Sequence, residues 1–76
     1  MRELLHYIIS SLVEHEDAVQ VTEVDEDGEI FFDVEVAAGD IGRVIGREGR
    51  TVRALRSLVA VAGTRAGCRY ELEILE

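Results

Sequence analysis

Hydrophobic residues recur at helical spacing near the start of the chain. Leu5, Ile8, Ile9 and Leu12 fall at i, i+3, i+4 and i+7, which predicts an amphipathic helix over residues 3 to 15. The period then changes to two. In VQVTEV, Val19 and Val21 share one side of a strand. In IFFDVEV, Ile30, Phe32, Val34 and Val36 take one face while Asp33 and Glu35 take the other. DEDG, residues 25 to 28, ends in the Asp-Gly pair that suits a tight hairpin between these strands.

The helical period returns after Asp40, a residue type favoured at the N-cap. Ile41, Val44 and Ile45 mark a short helix, which the segment from Gly46 to Gly49 interrupts. Val52, Leu55, Leu58, Val59 and Ala62 then line a second helix from Arg50 to about Ala62, with Gly63 and Gly67 bracketing its exit. Cys68, Tyr70, Leu72 and Ile74 alternate with Arg69, Glu71 and Glu73 in a last strand. This order of elements, αββααβ, predicts a two-layer α+β domain in which a three-stranded sheet is covered on one face by three helices.

The length of 76 residues allows one domain, residues 1–76, near the lower size at which a core alone holds a fold; association between copies would add stability. Hydrophobic residues make up 47% of the chain and no segment is of low complexity, so it is globular rather than disordered. A single cysteine excludes an internal disulfide and suits a reducing compartment. LLHYIISSLV is too short to span a membrane, contains a histidine and runs into Glu14, Glu16 and Asp17 without a cleavage site. The chain therefore reads as soluble and cytoplasmic, with no membrane partner.

Net charge is −8, but it is unevenly placed. Residues 41 to 57 hold five arginines and one glutamate, +4, while the rest holds three arginines and fifteen acids, −12. From Glu14 to Asp40 there are eleven acids and neither lysine nor arginine. This layout confines attraction for polyanions to one element and surrounds it with repulsion.

Gly46 and Gly49 flank Arg47 and Glu48 in the turn between the two helices. Residues without side chains let a ligand approach the backbone, and the turn opens on a helix N-terminus, whose amides and dipole favour an anion such as a phosphodiester. Arg43, Arg47, Arg50 and Arg53 are candidates to pair with successive phosphates. The glycines also suit a plain helix–turn–helix corner. Arg50, Arg53 and Arg56 also suit a solvated helix face paired with acids.

The string VIGREGRTV, Val44 to Val52, set in this order of elements, resembles the type II KH domain over essentially the whole chain. MRELLHYIISSLV, DIGRVIGREGRTVRALRSLV and RYELEILE are similar to the small bacterial single-KH RNA-binding proteins of the KhpA type. The resemblance implies a site for about four nucleotides of single-stranded RNA or DNA. Gly46, Arg47, Glu48 and Gly49 would clamp the backbone, Ile41, Ile45 and Val52 would line a groove for the bases, and Arg50 would sit at its mouth. Glu48 departs from the more basic loops of the family, which implies modest phosphate affinity. The resemblance also implies homodimers, pairing with a larger multidomain RNA-binding protein of the KhpB (Jag) type, and roles in RNA chaperoning, post-transcriptional regulation and control of cell elongation or division.

Other chemistry finds little support. Tyr7, Phe31, Phe32 and Tyr70 all lie away from the loop, so bases have no stacking platform there and sequence selectivity is expected to be low. His6 and His15, nine residues apart on the first helix, are half a turn out of phase and make no metal site. Cys68 occupies an inward strand position as a small hydrophobe. EVDEDGE lacks calcium-loop spacing, and no Lys-Ser or Lys-Thr follows Gly49 as a nucleotide-binding P-loop requires. No cofactor is implied, and no set of nucleophile, base and orienting group suggests an enzyme. Two alternatives to single-stranded RNA binding stay open: a protein-interaction or dimerisation module using the apolar second helix, and a duplex-DNA helix–turn–helix, which the very short first helix disfavours.

Overall fold

In the computed structural model, which describes all 76 residues, helix α1 spans Arg2–Leu12 and ends three residues before the expected end at His15. The amides of Glu14 and His15 do not continue the helical ladder; they donate to the side chain of Asp40 at 3.2 and 3.0 Å, and Val13 is already extended. A single 3-10 turn, Glu16–Ala18, leads into strand β1, Gln20–Glu26.

Strand β2, Glu29–Glu35, pairs antiparallel with β1. The hairpin between them is a two-residue turn in which Asp27 and Gly28 both have positive φ (54° and 88°), the geometry that Asp-Gly favours and that matches strand twist. Strand β3, Arg69–Ile74, pairs in parallel with the other side of β2, so the sheet order is β1-β2-β3. Phe32, on the central strand, is 1% exposed and meets the Tyr70 ring edge-on at 5.3 Å. Leu5 and Ile9 of α1 and Val34 and Leu72 of the sheet join it in one core, as alternation predicted.

Helix α2, Ile41–Ile45, is a little over one turn and packs on α1 and α3, sending Val44 into that core. Helix α3 runs from Arg50 to Ala66, four residues beyond the expected end at Ala62. Gly63 therefore lies inside the helix, and its role is close approach. A Cβ there would stand 2.8 Å from both the Cys68 carbonyl oxygen and the Tyr70 amide nitrogen, so the missing side chain lets α3 lie directly on β3. The helix ends instead at Gly67, in the left-handed conformation (φ 73°), with the Cys68 amide closing on the Gly63 carbonyl at 2.9 Å.

Cys68 consequently precedes β3 rather than occupying an inward position within it. It is half-buried, and its thiol donates to the Gly28 carbonyl at the hairpin tip. The architecture is α+β, αββααβ, with the helices on one face of the sheet. No helix is long and apolar enough to cross a membrane.

Candidate nucleic-acid interface

Between α2 and α3 the chain makes one tight turn, Arg47–Gly49, bounded by Gly46, in which Glu48 and Gly49 are both left-handed. Gly46 has φ 78° and ψ 171°, a region that residues with a Cβ avoid. A Cβ at Gly46 would also overlap the Thr51 side chain and come 2.9 Å from the Thr51 amide nitrogen. Gly49 (φ 73°) carries the chain into α3, and the Arg53 guanidinium lies close over it, 3.3 Å from where a Cβ would be. Gly46 is thus required by backbone shape and by contact with the first turn of α3, whereas Gly49 is favoured by its left-handed conformation and meets only the tip of the Arg53 side chain. No side chain caps that helix end.

The arginines fall into two groups. Arg47, Arg53 and Arg56 are exposed and have no acidic partner, whereas Arg43 and Arg50 do. Arg43 bonds the carboxylate of Glu14 and stands 3.5 Å from Asp40. Arg50 lies 3.3 Å from the Glu48 carboxylate. Ile41 and Ile45 are half-buried on one side of α2 and leave part of their surface open, but Val52 is 6% exposed and has little left to offer a base.

Asp40 departs furthest from expectation. It precedes α2 without capping it, and its side chain is 2% exposed, directed back to the linker after α1. It accepts from the amides of Glu14 and His15, and the His15 ring lies 3.0 Å away. His15, expected on α1, is therefore in the linker, where it and Asp40 tie α1 to α2. Burial by itself raises the Asp40 pKa, but the His15 amide, the His15 ring and the Glu14 amide outweigh it and hold the carboxyl below the usual carboxylate range.

Unfolded Asp40, with a pKa of about 3.9, binds its proton at higher pH than the folded form, so its stabilisation is full well above that value and is lost as pH falls through the lower folded pKa. Urea unfolding of the wild type and of Asp40→Asn should give a stability difference that shrinks steadily as pH falls below about 4. A difference that stays flat down to pH 2 contradicts the role given to the carboxylate.

Sequence reasoning missed the far end of the surface. An open depression of about 580 Å³ lies between α3 and β3, bordered by Ala60, Thr64, Cys68, Arg69 and Tyr70. Ala60 and Thr64 follow Arg53 by seven and eleven residues, so they continue the same side of α3. The loop, Arg53 and the depression thus form one strip, roughly 22 Å long from Gly49 to Thr64 at helical rise. β3 is an edge strand. The Leu75 amide bonds the Val34 carbonyl at 2.9 Å, which fixes the parity: backbone groups of Tyr70 and Leu72 point to the free edge. Gly63 and Gly67, spaced four apart before an alternating strand, were the available hint that helix and strand meet closely there.

The family model described as KhpA/KhpB, KH domain, matches residues 2–74. The RNA-binding protein KhpA of Chlamydia muridarum is 41% identical over 76 residues, spanning all of this chain and 97% of that protein. The RNA-binding protein KhpA of Halalkalibacterium halodurans is 40% identical over the whole of both chains. That of Aquifex aeolicus is 34% identical over all of this chain and 96% of its own. No solved structure matches. With both the αββααβ architecture and the full-length similarity in agreement, the chain belongs to the KhpA/KhpB KH-domain family.

Proposed function

We propose that this protein binds single-stranded RNA in the cytoplasm, as an RNA chaperone or post-transcriptional regulator and not as an enzyme. The phosphate backbone is held at Gly46, Arg47, Glu48 and Gly49, and the bases lie along α3 toward the free edge of β3. The observation that carries this reading is the coincidence, on one side of α3, of the glycine-flanked turn with arginines that have no acidic partner. Full-length relatives named as RNA-binding proteins support it. Arg47 and Arg53 are the principal phosphate partners. Arg43 becomes secondary because two acids already hold it. Base contacts fall to Ile41, Ile45 and the backbone of Tyr70 and Leu72; Val52 supports the groove from beneath.

A specific observation favours a second activity alongside the first. Leu58 and Val61, three residues apart on α3, are 38% and 58% exposed and place two large apolar side chains side by side on the helix surface. They offer a contact for a second copy of the chain or for a KhpB-type partner, and a dimer would couple two weak RNA sites through effective concentration. If the loop is vestigial, this contact is the main function.

The test is binding of labelled single-stranded RNA, with duplex DNA as control, to the wild type and to an Arg47→Asp, Glu48→Asp double substitution at low and moderate salt. Salt-sensitive binding to the single strand is expected, and the substitution, which replaces a cation with an anion at the clamp, should weaken it at least about tenfold with an unchanged circular dichroism spectrum. Equal binding by both proteins, or binding by neither with the fold intact, removes the clamp and leaves the protein-contact reading.

A further inference from the structure

Glu48 is an unexpected residue where it stands. Its backbone is left-handed (φ 57°, ψ 25°), a conformation that glycine or asparagine adopts at lower cost than glutamate, so local geometry gives no reason for it. It is the only acid from Ile41 to Ser57, within the arginine-rich element. Its carboxylate lies 3.3 Å from the Arg50 guanidinium, with the two side chains 70% and 74% exposed. Neighbouring Arg47 and Arg53 have no acidic partner, so the loop presents free cations beside one that is already matched.

We propose that Glu48 is a built-in competitor for phosphate, which occupies Arg50 in the free protein and thereby limits affinity for RNA and the number of arginines that RNA engages. This rests on the loop being the RNA clamp. A carboxylate and a phosphodiester present the same chemistry to a guanidinium: anionic oxygens that accept two N–H bonds. An exposed pair of this kind is weak, so a strand anchored at Arg47 and Arg53 competes with it and engages Arg50 only part of the time, whereas a polyanion making one passing contact gains less. Glu48 thus acts on affinity through Arg50, and not as one more negative charge on an acidic protein.

The experiment measures binding of fluorescein-labelled octauridylate by anisotropy between 50 and 200 mM NaCl. The proteins are the wild type, Glu48→Gln, Arg50→Gln, the double variant, and Glu35→Gln as a charge control. Glu35 is exposed on the face of the sheet away from the helices, so its substitution removes the same charge far from Arg50. Glu48→Gln is expected to raise affinity about 2–5-fold at the lowest salt. The slope of log K against log salt should steepen by up to about 0.7, the value of one added phosphate contact on a single strand. The double variant should match Arg50→Gln. A gain no larger than that of Glu35→Gln, or one that persists undiminished without Arg50, overturns the inference while leaving RNA binding in place. Failure of the folded wild type and every variant to bind octauridylate overturns the inference and the RNA reading together.

Discussion

Phe32→Ala is expected to lose about 3–5 kcal/mol of stability. Phe32 sits on the central strand, paired in register with Glu23 of β1 and Leu72 of β3, and is 1% exposed. Leu5 and Ile9 of α1 and Leu55 and Val59 of α3 belong to the same cluster. Strands hold its backbone on both sides, so the surroundings cannot collapse into the space, and Tyr70 loses the ring that it meets edge-on. A domain of this length has on the order of 4–11 kcal/mol of total stability, so the loss is a large share of it. Thermal and urea unfolding should show a fall in Tm of more than about 12 °C. A loss below about 2 kcal/mol means that the core is more deformable than the burial of Phe32 indicates.

Gly46→Ala is expected to separate function from stability. The substitution places a Cβ at φ 78° and ψ 171°, which costs of order 1–3 kcal/mol in strain, and drives it into Thr51. The loop is on the surface, so it can relieve part of that strain by moving, and the global loss should be well under that of Phe32→Ala. Relief comes from changing the shape of the turn, however, and the turn is the proposed clamp. RNA affinity should fall at least about tenfold, with amide NMR shifts confined to the end of α2, the loop and the first turn of α3. Retained RNA affinity with a shifted loop means that the phosphate is not held there. Global unfolding means that Gly46 serves the fold more than the site.

Much of this architecture was legible because it is local. The i, i+3, i+4 pattern of α1, the alternation of β2 and the Asp-Gly hairpin each depend on residues within a few positions of one another. The glycine-flanked turn was legible for the same reason, since Gly46 and Gly49 both adopt positive φ. The errors arose where distant chain intervened. α1 stops early because Asp40, 25 residues away from His15, takes the amides that would have extended it. α3 runs on past Gly63 because that glycine answers to Tyr70 and Cys68 across the layer, not to a helix terminus. Arg43 and Arg50 were candidates for phosphate, with ion pairing left open for Arg50; which acids they meet, Glu14 and Glu48, is a property of folded geometry.

The amino-acid order by itself determined which elements form, which face of each is apolar, where the tight turns fall and that positive charge gathers on one element. These follow from backbone preference and side-chain period, which act over one or two turns of chain. Only the tertiary structure decided that β3 pairs in parallel with β2 and leaves a free edge beside α3, that Asp40 is buried as a tie between α1 and α2, and which arginines remain open to a ligand. Each of those outcomes requires bringing together residues separated by long stretches of chain, and the choice among partners is made by which contacts can all be satisfied at once in a close-packed interior.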